Sequence, residues 1–132
     1  MPSNREMTQS IYDAFAKGDA APLFGAMHPQ ISWKEAENHP YADQNPFIGP
    51  ARIGEGVFGR LTADYEGFTV TMQTLVAEDD EVVGLGRYTG THKGTGKRLD
   101  AQFAHRWTFR DGKLVEFQQY TDTAQYQQAM KA

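Results

Sequence analysis

A change of hydrophobic period near Gly67 divides this chain and limits what it can build. Upstream, apolar residues recur three and four positions apart, as on one face of a helix; downstream, they alternate with polar residues, as on one face of a strand. Helices first and strands afterwards is an α+β order, not the strand–helix alternation of a parallel nucleotide-binding sheet. With 132 residues and no repeat, low-complexity tract or linker, the sequence reads as one domain over residues 1–132.

The first helix is expected from about Asn4 to Lys17, where Met7, Ile11, Ala14 and Phe15 form an apolar stripe and Gly18 ends it. Asp19 can cap a second, short helix that carries Pro22, Leu23, Phe24 and Met27 and stops at His28-Pro29. Gln30 to Glu37 reads as a strand with Ile31, Trp33 and Glu35 on one face. Asn38 to Pro50 holds three prolines, a glycine and two aromatics and reads as a long loop, a type of segment that often carries function. Gly49-Pro50 opens a third helix with Ile53, Val57, Phe58 and Leu61 inward and an end near Asp64.

Beyond Gly67, Phe68, Val70 and Met72 alternate with polar residues up to a charged turn at Glu78 to Glu81. Strands are expected over Val82 to His92, Leu99 to Phe109 and Leu114 to Thr121, with a hairpin signal at Arg110-Asp111-Gly112-Lys113. Thr123 is expected to cap a last short helix. Alternation puts Phe103, His105, Trp107 and Phe109 on one inward face. Val115 and Phe117 set the inward phase of the last strand and carry Gln119 and Thr121 in with them. Gly84, Gly86, Tyr88 and Gly90 form one row, a pattern of sharp curvature or of room left for something close by. A bent antiparallel sheet with a glycine-lined hollow and aromatic walls outlines a ligand cavity.

Charge and composition remove several function classes. The formal charge of -4, without a lysine or arginine cluster, argues against nucleic acid and anionic membrane surfaces as partners. No apolar run approaches membrane-spanning length and the N-terminus lacks a signal core, so a cytoplasmic location is expected. Without cysteine there is no disulfide, thiolate nucleophile or Cys-bound metal. Glu37, His39 and His92 lack paired ligand spacing and are expected in solvent, so no metal is expected. No glycine-rich loop leads from a strand into a helix, and no cofactor is expected.

Four polar side chains point into the expected hollow: Glu35, Tyr88, His105 and Gln119. Trp33, Phe103, Trp107 and Phe117 are expected to serve as core and pocket wall, with Phe15 and Phe58 contributing from the helices. Burial raises a carboxylate's pKa and lowers an imidazole's. A carboxylate facing an imidazole across a dry pocket suits proton transfer beside a carbonyl: the base takes the proton and the donor stabilises charge growing on oxygen. The bland alternatives are a solvated strand glutamate at 35 and a core histidine at 105 bonded to a backbone carbonyl.

The segments Tyr12 to Asp19, the Trp33 strand, Gly90 to Lys97, His105 to Leu114 and Tyr120-Thr121-Asp122 together resemble the SnoaL-like polyketide cyclases, within the nuclear transport factor two-like and ketosteroid isomerase-like superfamily. The resemblance spans nearly the whole chain. It implies a cone-shaped domain, a strongly curved antiparallel sheet wrapped around N-terminal helices, one central pocket and a homodimer through the outer sheet face. Against ketosteroid isomerases it places Glu35 at the general base and His105 at the acid that donates to the oxyanion, with Ile11 where a second donor, a tyrosine, would stand. Against limonene epoxide hydrolases, Gly86, Tyr88 and Gln119 replace the Arg-Asp-Asp set; against scytalone dehydratases, His105 matches one histidine and Gly86 replaces the other.

Three function classes follow. The first is an isomerase- or cyclase-like enzyme in which Glu35 shuttles a proton on a small hydrophobic or carbonyl-bearing molecule and His105 polarises its oxygen. The second is a binding domain without turnover, and the third a dimerisation or interaction module of the same fold. An acid–base pair within reach of a ligand separates the first from the others.

Overall fold

The computed structural model describes residues 2–132. Helix α1 (Asn4–Phe15) begins with a capping box, in which the Ser3 hydroxyl accepts from the Glu6 N–H and the Glu6 carboxylate accepts from the Ser3 N–H. Gly18 takes φ +74° just beyond its end, the left-handed turn that glycine permits. The buried stripe of α1 is Thr8, Ile11 and Tyr12, with Met7, Ala14 and Phe15 half-buried at its edge. That puts a tyrosine, not only aliphatic residues, against the sheet.

Helix α2 (Ala21–Ala26) is preceded by Asp19, whose carboxylate accepts from the Ala21 N–H. It runs directly into β1 (Met27–Lys34), so Met27 is a strand residue and His28-Pro29 lies inside the strand. The expected loop over residues 38–50 instead contributes a short strand, β2 (Phe47–Ile48), paired antiparallel with β1. Tyr41 and Phe47 of this segment are buried, so it is a packed wall. Helix α3 (Pro50–Ile53), a π-helical stretch (Gly54–Gly59) and α4 (Arg60–Asp64) follow one another without a break.

The rest is a meander of β3 (Tyr65–Glu78), β4 (Glu81–His92), β5 (Arg98–Arg110) and β6 (Lys113–Thr121), closed by α5 (Thr123–Met130), whose N-cap is Asp122. The β5–β6 turn uses Asp111 at φ 51° and Gly112 at φ 76°, the paired positive values that a tight hairpin needs. The strand order is β2-β1-β6-β5-β4-β3, an open six-stranded sheet. β1 pairs with β6 in parallel, so the sheet is mixed, not wholly antiparallel as expected. No local turn links these two strands; the chain returns to β1 through the whole meander, a crossover long enough for parallel pairing.

The inner face of β5 carries Phe103, His105, Trp107 and Phe109, all buried, as the alternation requires. In β6 a register shift between Thr108 and Phe109 of its neighbour exchanges the phase. Leu114 and Phe117 are therefore the inward pair, while Val115, expected inward, is only half-buried. Gln119 keeps its inward place. In the glycine row of β4, Gly84 makes room for α1, since a Cβ there would stand 2.2 Å from the Tyr12 hydroxyl, while Gly86 and Gly90 are crowded by β3.

Candidate active site

Between the helices and the inner sheet face lies a cavity of ≈ 470 Å³, within the size range of small-molecule sites. Trp33, Phe117 and Trp107 form its floor, with the Trp33 and Phe117 rings stacked at 3.8 Å. Phe15 and Phe58 close it from the helical side, their rings 6.1 Å apart. Glu35, Tyr88, His105 and Gln119 also line it. Phe103 does not: it stacks on the His105 ring at 3.9 Å and backs the imidazole away from the cavity.

Glu35 sits one residue beyond β1, and its backbone is clamped on both sides. The Asn45 side chain accepts from the Glu35 N–H at 3.0 Å and donates to the Glu35 carbonyl at 2.8 Å, standing in for a paired strand. The carboxylate is 2 % exposed, and Oε2 accepts from the Trp33 indole N–H at 3.2 Å. Oε1 has no hydrogen-bond partner among the described residues. Burial raises the pKa to about 7, against smaller lowering effects of the Trp33 N–H and the Arg60 charge.

His105 is held at both ring nitrogens. Nδ1 lies 2.7 Å from the Tyr12 hydroxyl and Nε2 makes a short bond with the Tyr88 hydroxyl. The outer ends of this chain are also occupied: Trp107 Nε1–H donates to Tyr12 at 2.9 Å, and Gln119 Nε2–H donates to Tyr88 at 3.0 Å. The Gln119 orientation follows from the Ala36 N–H, which can only donate and gives its proton to Oε1 at 3.1 Å. Burial pushes the His105 pKa down to about 3, so the ring is neutral and carries one proton.

The tyrosine–histidine–tyrosine chain therefore holds three protons and uses two of them internally. If Nδ1 carried the imidazole proton, the Tyr12 hydroxyl hydrogen would be buried with no acceptor, at a cost of about 1–3 kcal/mol. With the proton on Nε2, Tyr12 donates to Nδ1, Nε2 donates to Tyr88, and the Tyr88 O–H is free to turn into the cavity that Tyr88 lines. We assign the second arrangement. His105 then has no group to offer a ligand, and Tyr88 does.

Sequence reasoning missed five residues. Tyr12, next to Ile11 in the same stripe, bonds His105 and does not line the cavity, and Gly84 was the signal for a bulky partner there. Asn45 gave no signal in a proline-rich loop. His39, expected in solvent, is 5 % exposed; Tyr65 and Tyr126 are 4 % and 1 % exposed. All three line the cavity. Glu37 is exposed and His92 half-buried.

The chain matches the SnoaL-like domain family over residues 8–117. An NTF2-like protein of Burkholderia thailandensis superposes with a TM-score of 0.94 at 33% identity, covering 100% of both chains. TerC, co-crystallised with polyporic acid, shares the fold at TM-score 0.81 and 23% identity, over 96% of this chain and 97% of its own. A Catenulispora acidiphila protein with a ketosteroid isomerase-like fold, in complex with trimethylamine, gives 0.72 at 19% identity, over 89% of this chain and 86% of its own. No curated protein matches. Among the described residues, no helix is long and apolar enough to cross a membrane.

Proposed function

The chain belongs to the SnoaL-like domain family, and on that footing we propose that it is an acid–base enzyme of the isomerase or cyclase type acting on a small carbonyl compound. The observation that carries the proposal is the carboxylate of the buried Glu35, with a pKa near 7 and one oxygen, Oε1, without a partner among the described residues, in the same cavity as a free phenol donor. A base poised near neutral pH combines availability with proton affinity.

Glu35 takes the proton from a carbon beside the carbonyl, and the C–H electron pair passes to the oxygen as an enolate. The Tyr88 O–H donates to that oxygen. Isomerisation is completed when protonated Glu35 returns the proton to another carbon. Cyclisation is completed when the enolate carbon adds to a second carbonyl and the new alkoxide takes the proton. His105, first expected to polarise the oxygen itself, is a positioning residue that orients Tyr88. Two solved relatives of the fold hold small organic molecules, one of them polyporic acid, which supports a ligand of that size.

The test is exchange of α-hydrogens for deuterium in a panel of cyclic ketones. Exchange by the native protein should fall by about 10²-fold or more in Glu35→Gln and by a smaller factor in Tyr88→Phe. Exchange that is absent, or unchanged in Glu35→Gln, refutes it. A second reading, binding without turnover, draws on the closure of both His105 nitrogens; ketones that bind without exchanging would favour it.

The outer face suits pairing with a second copy. Leu85 and Tyr120, 39% and 54% exposed, flank Ala104 in register across β4, β5 and β6. Sedimentation should show a dimer that Leu85→Glu dissociates; a monomeric native chain contradicts it.

A further inference from the structure

The acid–base reading uses one end of the cavity. Its other polar side chains are the exposed Thr62 and a cluster of His39, Tyr65 and Tyr126, drawn from the 35–49 segment, the start of β3 and α5. The His39 and Tyr126 rings are 4.2 Å apart, and the Tyr65 and Tyr126 rings 6.3 Å. Tyr126 also meets the Tyr88 ring at 6.0 Å, so this cluster adjoins the Glu35–Tyr88 end without sharing its bonds.

What sets the cluster apart is that its hydrogens are unclaimed. The Tyr41 N–H donates to His39 Nδ1 at 3.0 Å, which fixes the proton of the neutral ring on Nε2. Burial, with the Arg60 charge, holds the His39 pKa down to about 4, consistent with a neutral ring. His39 Nε2 and the hydroxyls of Tyr65 and Tyr126 have no hydrogen-bond partner among the described residues. Of these atoms the Tyr65 hydroxyl oxygen is fully buried, and folded proteins rarely leave a buried polar atom without a partner.

We propose that His39, Tyr65 and Tyr126 form a second oxygen-binding subsite, so that the ligand of this cavity carries two separate oxygen functions on one apolar skeleton. All three groups donate and no lysine or arginine lines the wall, so the subsite takes a carbonyl, hydroxyl or enol oxygen in preference to a phosphate or sulfate. Trp33, Trp107 and Phe117, which also line the cavity, hold the carbon frame. The inference rests on the small-molecule reading above and extends it to the substrate class: a compact, planar compound oxygenated at two positions.

Calorimetry with 1-naphthol and the isomeric dihydroxynaphthalenes tests it. The native protein should bind at least one diol about tenfold more tightly than the mono-ol, as two or three new neutral hydrogen bonds would give. In the Tyr65→Phe/Tyr126→Phe double variant, which removes two oxygens and no bulk, that ratio should fall to near one. A mono-ol that binds, with no diol binding better or with the gain surviving in the double variant, overturns the subsite alone; ordered water would then be the partner of these groups. If neither class binds, the small-molecule reading falls and the subsite with it.

Discussion

Two sets of polar side chains around the cavity, one on the inner faces of β4, β5 and β6 and one drawn from other segments, are partnered in opposite ways. On the sheet side, Trp107, Tyr12, His105, Tyr88 and Gln119 bond to one another until only the Tyr88 hydroxyl hydrogen and the second Gln119 N–H remain. In the other set, Glu35 Oε1, His39 Nε2 and the hydroxyls of Tyr65 and Tyr126 have no hydrogen-bond partner among the described residues. A saturated network spends its groups on holding position; an unsaturated one keeps them for something outside the chain. Stability should therefore reside in the first set and recognition in the second.

The largest effect is expected from breaking the saturated set. His105→Leu keeps the bulk but strips Tyr12 of its acceptor and Tyr88 of its donor, and should lower stability by about 2–4 kcal/mol in urea unfolding. A change below about 1 kcal/mol would mean that the network is ornamental.

Glu35→Gln should do the reverse. The rise in pKa from 4.5 to about 7 corresponds to roughly 3 kcal/mol of strain carried by the ionised carboxylate, so the amide should stabilise the fold by up to that amount near pH 8. The sign is specific. Between pH 4.5 and about 7 the folded chain keeps a proton that the unfolded chain has lost, so this group's contribution falls as pH rises through that window. His39 and His105, with pKa values lowered from 6.5 to about 4 and about 3, act oppositely: the unfolded chain holds their protons, and stability falls as pH drops below 6.5. Around pH 5 to 6 one carboxylate opposes two imidazoles, leaving a net slope of about one proton, or roughly 1.4 kcal/mol per pH unit. Glu35→Gln should double that slope.

Gly84→Ala drives a methyl group into the Tyr12 hydroxyl and should cost about 1–3 kcal/mol, while Gly18→Ala meets no such neighbour and carries only the strain of its positive φ. The smallest effect belongs to the open set: Tyr126→Phe loses no protein partner and should change stability by less than about 0.5 kcal/mol. A larger loss would place Tyr126 among the structural groups and erase the contrast between the sets.

The contrast also marks how far the site could be read from the sequence. Period-two alternation put His105 and Trp107 inward and placed Glu35 in phase with Trp33, because pleat geometry leaves a strand two faces only. The β6 phase failed at Val115 because a bulge is an irregularity of pairing, invisible until the partner strand is known. The parallel β1–β6 pair escaped for the same reason. His39 and Asn45 lie where no period applies; the burial of His39 and the clamp of Asn45 on the Glu35 backbone follow from how the 35–49 segment folds back over β1. Tyr12 was hidden by its neighbour: an apolar stripe is wide enough for Ile11 and Tyr12 together, and only the cleft above Gly84 shows which of them reaches the imidazole.

One measurement bears on the central claim without intermediaries: the carbon-13 NMR titration of the Glu35 carboxyl, assigned by its loss in Glu35→Gln. A carboxylate kept dry and half-partnered should titrate near pH 7. A midpoint near the ordinary 4.5 would mean that water or an unseen partner already serves the free oxygen, and the proposed base would lose its footing.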